Sequence, residues 1–66
     1  MTNVNVGDTI LAKPMILAAL KQKPKVRKGT VVYIHPEERY IIAAFELAGG
    51  KVRESFLPGD FLKTED

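Results

Sequence analysis

The chain is predicted to be all-β, with five short strands that curl into a small barrel. Between residues 28 and 61, runs rich in β-branched and aromatic residues alternate with strong turn signals. Three of these runs follow one another with tight connections, which predicts an antiparallel meander. The 66 residues have room for a single domain over 1–66, and a meander in so short a chain is expected to curl into a barrel.

The first strand is predicted after the turn dipeptide Gly7-Asp8, with Ile10 and Ala12 on one face. Pro14 ends this strand, because proline has no N–H to donate to a sheet ladder. Residues 14–24 leave two alternatives open. They form either a short helix, since proline suits a first helical turn, or a long loop between the first two strands.

Three longer strands and a brief last one are predicted near residues 30–35, 40–47, 51–57 and 62–63. Gly29, at the start of the second strand, is interpreted as a residue that takes backbone angles closed to other residues. Gly49-Gly50 is predicted to supply the positive φ values of a two-residue hairpin turn. Residues 58–61 predict a tight turn before the last strand.

Alternation divides the third and fourth strands into two faces. In the fourth strand, Val52 and Phe56 are predicted to point inward, with Glu54 between them. Because a buried carboxylate must be paired, Glu54 is expected to reach the barrel mouth or to meet an arginine or a backbone donor. In the third strand the predicted inner residues are Ile41, Ala43, Phe45 and Leu47.

The composition is that of an ordinary globular protein without cysteine, so disulfides and thiolate metal sites are excluded. The N-terminus lacks the charged and apolar regions of a signal peptide. The longest apolar run, residues 15–20, is far shorter than the roughly 20 residues that span a bilayer. We therefore expect a cytoplasmic protein without membrane association, with residues 1–5 and 64–66 frayed.

The order of elements, with a longer excursion after the first strand and a tight turn before the last, resembles that of an SH3-like barrel. Gly29-Thr30-Val31 also resembles the Gly-x-Val opening of KOW- and Tudor-like members. Residues 28–37, Arg39-Tyr40 and residues 51–56 are similar to small uncharacterised proteins of bacterial phage and prophage regions. The resemblance covers roughly residues 28–61. It implies the fold and an accessory role, and it is silent on the ligand.

Charge is divided unevenly along the chain. Residues 1–28 hold six Lys and Arg against one acid, whereas residues 29–66 hold four against seven acids. In an extended segment, cations spaced two residues apart project to one side and could follow phosphates or another acidic surface. The alternative is a solvated loop. This basic segment consists of Lys21, Lys23, Lys25, Arg27 and Lys28.

A second candidate surface combines aromatic and cationic residues of neighbouring strands. Rings can stack on bases, and guanidinium groups can pair with phosphate or carboxylate. The alternative is that both tyrosines close one end of the core with their hydroxyls in water. The residues of this patch are Tyr33, His35, Arg39, Tyr40 and Arg53; candidate apolar contacts are Met15, Ile16 and Leu20.

No catalytic, metal or cofactor site is predicted. His35 is the sole histidine and Ser55 the sole serine, and neither has an oriented partner in the sequence. Gly49-Gly50 lacks the spacing of a phosphate-binding loop. We therefore predict a protein that is not an enzyme and has no small-molecule substrate.

Two classes of function follow from these candidates. The first is a small accessory or adaptor module that binds another protein or a second copy of itself through the apolar residues 14–20 and the exposed aromatics. The alternative is weak, sequence-indifferent nucleic-acid binding through the basic segment, assisted by Arg39 and Arg53. Salt dependence separates the two, since it is steep only for phosphate contacts.

Overall fold

The computed structural model describes residues 4–15, 21, 25–47 and 49–64, and these form one sheet of five antiparallel strands. Among these residues no helix occurs. The sheet order is β4-β3-β2-β1-β5, so the last strand returns to lie beside the first. This confirms the all-β prediction. The strands are β1 Thr9–Ala12, β2 Arg27–Ile34, β3 Ile41–Leu47, β4 Gly50–Phe56 and β5 Leu62–Lys63.

The core lies on one face of this sheet and contains only apolar side chains among the described residues. The rings of Phe45 and Phe56 meet edge to face, with centroids 5.7 Å apart. Val52 is partly buried against the same cluster, so Ile41, Ala43, Phe45, Val52 and Phe56 lie on the predicted inner faces; Leu47, also predicted to point inward, is only partly buried and is not part of the core. The buried residues are Val4, Ile10, Ala12, Val31, Ile41, Ala43, Phe45 and Phe56.

Gly29 is required for space rather than for its backbone angles. A Cβ atom at this position would lie 2.6 Å from Cε2 of Phe45, much closer than real contacts allow. Its φ lies outside the left-handed region, in contrast to the interpretation from sequence. The missing side chain lets the Phe45 ring lie directly over β2.

A β-bulge interrupts β2. Val31 pairs with Ala43 and Tyr33 pairs with Ile42, so Val32 is an extra residue without a partner on β3. Beyond the bulge the alternation of β2 is reversed. Ile34 packs against the core, whereas Tyr33 is 42% exposed.

Tight turns precede β1 and join β3 to β4. At 5–8, Gly7 has φ +98° and the N–H of Asp8 donates to the carbonyl of Asn5, as in a type II turn. The β3–β4 hairpin differs from its prediction, because Leu47 pairs with Gly50 and only the second of the two glycines has a positive φ. The alternatives for residues 14–24 concern a segment of which only Pro14, Met15 and Lys21 are described.

Candidate binding surfaces

An apolar groove of about 620 Å³ lies where β1 ends and the chain turns into β5. Three of its side chains are large, apolar and exposed: Met15 at 75%, Val26 at 55% and Leu62 at 71%. Leu11 and Phe61 add further apolar surface, and Lys13 and Asp60 are among its polar residues. Exposed apolar side chains that share one concavity are typical of interaction sites.

Long-range contacts build this groove. Leu11 and Leu62 are opposite each other in the antiparallel β1–β5 pair, so they lie on the same face of the sheet. The turn at residues 57–60, closed by a hydrogen bond from the Asp60 N–H to the Leu57 carbonyl, leads the chain back to this pair. Of the apolar contacts predicted from sequence, Met15 lies in the groove; Ile16 and Leu20 lie outside the described residues.

Glu54 connects the groove to the opposite edge of the sheet. Its Oε1 accepts a hydrogen bond of 2.7 Å from the backbone N–H of Met15. A backbone donor was one of the partners expected for this carboxylate. The bond ties the chain that leaves β1 to β4, although the two residues are 39 positions apart in sequence.

The aromatic residues of the predicted patch form a row on the β2–β3 hairpin. The ring of Tyr40 lies 5.0 Å from His35 and 6.1 Å from Tyr33, both in tilted geometry. The Nδ1 atom of His35 accepts a hydrogen bond of 3.0 Å from the N–H of Glu37, so the histidine caps the turn. The structure therefore brings three of the five predicted residues together.

The two arginines of the predicted patch lie in different places. Arg39 pairs with Glu37 at 3.2 Å in the exposed hairpin loop. Arg53 instead lies on the outward face of β4, where it shares a depression with Tyr33. We call this depression of about 610 Å³ the outer trough; it is lined by Val32, Tyr33, Ile42, Arg53, Glu54 and Ser55.

The basic segment is only partly described. Lys25, Arg27 and Lys28 line one depression of about 390 Å³ together with Val26 and Glu46, whereas Lys23 lies outside the described residues. Nε of Arg27 is buried and has no hydrogen-bond partner among the described residues. Lys21 is exposed and has φ 58°. We call this depression the basic hollow.

Asp8, at the turn before β1, is held by two contacts. The backbone N–H of Asn5 donates to Oδ2 of Asp8 at 2.8 Å, and Nζ of Lys63 lies 3.4 Å from the same oxygen. The hydrogen bond, and after it the lysine, lower the pKa of the Asp8 carboxyl below its ordinary value of 3.8. These contacts join the N-terminal turn to β5.

Sequence reasoning missed several residues of these surfaces. Leu11, Val26, Phe61 and Leu62 lie far apart in the sequence, and no local pattern groups them. A signal was present in β1, where alternation puts Leu11 on the face opposite Ile10 and Ala12. For Val32, which is followed by Tyr33 in an unbroken β-type run, the sequence carries no mark of a bulge.

Comparisons with known proteins give no match to a family model, a curated protein or a solved structure. Within residues 4–15, 21, 25–47 and 49–64, no group of three or more histidine or acidic side chains is placed to hold a metal ion. In the same ranges, no helix has the length and apolarity needed to cross a membrane.

Proposed function

We propose that this chain is a small SH3-like barrel that acts as a non-enzymatic protein-binding module. The sheet order supports the barrel, because β1 lies between β2 and β5 and the last strand returns to the first. The resemblance of residues 28–61 to small phage and prophage proteins supports an accessory role. Closure of the five-stranded sheet into a barrel is part of the proposal.

One observation carries the binding function: Met15, Val26 and Leu62 are all more than half exposed and line the same groove. Other exposed apolar side chains among the described residues lie outside the groove, so exposure by itself does not mark a site. These three side chains differ from the others because they line one concave site, which also contains charged residues such as Lys13 and Asp60. The partner that suits this site is an apolar segment of another protein chain.

Selection of a random peptide library on the immobilised domain tests the proposal. We expect enrichment of peptides with apolar residues, and loss of their binding in Met15→Asp and Leu62→Asp. Matched controls are Val6→Asp and Leu57→Asp, because these side chains are 64% and 61% exposed and do not line the groove. Circular dichroism establishes that each variant is folded.

Equal loss of binding in the control variants, or no enrichment at all, would contradict the groove. Sedimentation velocity identifies a special case. If the wild-type mass rises with concentration and Leu62→Asp stays monomeric, the partner is a second copy of this chain.

Nucleic-acid binding through the basic segment is the second candidate, favoured by the buried Nε of Arg27, which has no hydrogen-bond partner among the described residues and lies beside Lys25 and Lys28 in the basic hollow. If the four cations at 21, 23, 25 and 27 contact phosphates, the logarithm of the binding constant should fall with that of salt at a slope of about −3 on single strands. We expect weak, sequence-indifferent binding, since Glu46 shares the hollow. Binding that persists at high salt would exclude this mechanism.

A further inference from the structure

The outer trough has the chemistry of a site for a single unpaired nucleobase and its phosphate. We propose that a base inserts between the ring of Tyr33 and the guanidinium of Arg53, and that its phosphate pairs with Arg53. This site is distinct from the apolar groove and from the basic hollow, and it does not depend on the function of either.

The bulge creates the trough. In a regular strand successive side chains point to opposite faces, so adjacent residues would not border the same depression. Because Val32 has no partner on β3, both Val32 and Tyr33 line the trough. Bulges commonly redirect a side chain beside a functional site.

The register gives the trough an aromatic wall and a cationic wall. Tyr33 is paired with Ile42, and Ile42 with Ser55, so a row of residues crosses three strands on the outward face. Arg53 lies two residues from Ser55 on β4 and opposite the small residue Ala44. Ile42 of β3 is thus flanked by an aromatic ring on β2 and, diagonally, by a guanidinium on β4.

A planar guest requires the two side chains to converge over β3. Strands β2 and β4 are two strand separations apart, about 10 Å, and Arg53 lies two residues, about 7 Å, along β4 from the row that contains Tyr33. Both side chains are long, and a base between them needs two stacking distances of about 3.4 Å each. Bases stack on both tyrosine rings and guanidinium planes.

The charges favour an anionic guest. Arg53 makes no ion pair among the described residues, whereas Arg39 is paired with Glu37. Glu54 also borders the trough, but its Oε1 accepts a hydrogen bond from the Met15 N–H, and both residues line the apolar groove. Lys51 is the next outward cation on β4, and its 3.9 Å contact with Glu46 is at the limit of an ion pair. Lys51 does not line the trough, so the guanidinium of Arg53 matches the single phosphate of one nucleotide.

Tyr33 is supported for this role by its neighbours. Tyr40 and His35 continue the aromatic row, and neither lines the trough. Tyr40 contacts the Tyr33 ring, and His35 contacts Tyr40 in turn. At 42% exposure the ring remains accessible to a base.

The test is an NMR titration of the labelled protein with an oligothymidylate of about eight nucleotides, an abasic strand of the same length, and adenosine 5′-monophosphate. We expect shifts at Val32, Tyr33, Ile42 and Ser55 with the oligothymidylate, and none at these residues with the abasic strand. Shifts of comparable size with the mononucleotide identify a free nucleotide as the guest, and much weaker ones identify a strand. Either result supports the base site.

Variants decide which groups act. Tyr33→Ala should weaken oligothymidylate binding about five- to hundredfold, and Tyr33→Phe should retain it because the ring is kept. Arg53→Gln should weaken it too, whereas the matched control Arg39→Gln should not. The salt slope should be close to that of a single phosphate, about −0.7, well below the slope expected of the basic hollow.

Equal binding of the abasic strand, or unchanged affinity in both Tyr33→Ala and Arg53→Gln, would overturn the proposal. So would stronger shifts of the trough residues by an extended acidic peptide than by the oligothymidylate. If Tyr33→Ala does not fold, the comparison of Arg53→Gln with Arg39→Gln decides between the outcomes. Leu62→Asp should bind the oligothymidylate with the affinity of the wild type. The proposal for the apolar groove and the proposal for the outer trough can therefore be refuted independently.

Discussion

The two faces of the β2–β3–β4 meander follow different rules. The inner face is closed, apolar and tightly packed, with Phe45 only 1% exposed over Gly29. The outer face is open and mixes an aromatic ring, a guanidinium and a hydroxyl around Ile42 of β3. Substitutions in these three strands should therefore have large effects on folding only on the inner side.

The largest expected effect is the loss of Phe45. Truncation of a buried phenylalanine costs about 3–5 kcal/mol, which is comparable to the whole stability of a small domain, about 5 kcal/mol. Phe45→Ala should therefore be largely unfolded at 25 °C by circular dichroism, and Phe56→Ala strongly destabilised. Glu46→Ala, the next residue along β3 and exposed, is the matched control and should change stability by no more than about 0.5 kcal/mol. A near-native melting point for both phenylalanine variants would refute the division into faces.

The next effect is overpacking at Gly29. The added methyl group of Gly29→Ala would meet the Phe45 ring at 2.6 Å, and the crowding should destabilise the domain by about 1–3 kcal/mol in urea denaturation. In a Phe45→Leu background, which lacks the colliding ring atoms, the same change should cost clearly less. Additive costs would mean that Gly29 is constrained by its backbone and not by the ring.

Deletion of Val32 should have a moderate effect on stability and a clear effect on the outer face. Without the extra residue, Tyr33 and Ile34 would still pair with Ile42 and Ile41, now in a regular ladder. The domain should remain folded with a loss within about 0.5–3 kcal/mol, and oligothymidylate binding should weaken. Nuclear Overhauser contacts from Ile34 to the core check this outcome; burial of Tyr33 in its place would contradict it.

The smallest expected effect is on the stability of the domain in acid. It concerns the contacts of Asp8, which lie on neither face of the meander. The folded pKa of Asp8 lies below its unfolded value, first through the Asn5 N–H and then through Lys63. Its stabilising contribution is therefore fully present above about pH 4 and is lost as pH falls through the folded pKa. Asp8→Asn should lower the melting point slightly at pH 7 and flatten its decline between about pH 4 and pH 2. An unchanged acid profile would exclude this carboxylate as a source of pH dependence.

Side-chain orientation could be predicted from sequence in β3 but not in β2. In β3, alternation predicts the inner set Ile41, Ala43, Phe45 and Leu47, and the structure buries the first three and leaves Leu47, at the strand end, only partly buried. In β2, Val31, Val32, Tyr33 and Ile34 all favour a strand and none is charged. Their pattern therefore does not indicate which of them point to the core and which to the outer face. Of the candidate patch, Tyr33, Tyr40 and His35 form a row of ring contacts and Arg53 shares the outer trough with Tyr33, whereas Arg39 pairs with Glu37 in the hairpin loop.

By itself the sequence determined the all-β class, the last strand, most of the inner faces of β3 and β4, and the uneven division of charge between residues 1–28 and 29–66. These features depend on local alternation and turn chemistry, which neighbouring residues encode. Only the tertiary structure decided the bulge at Val32, the bond from Met15 to Glu54, and the pairing of Leu11 with Leu62. Each of these joins strands that are distant in sequence or depends on the register between strands, and register is settled by the packing of whole faces against each other.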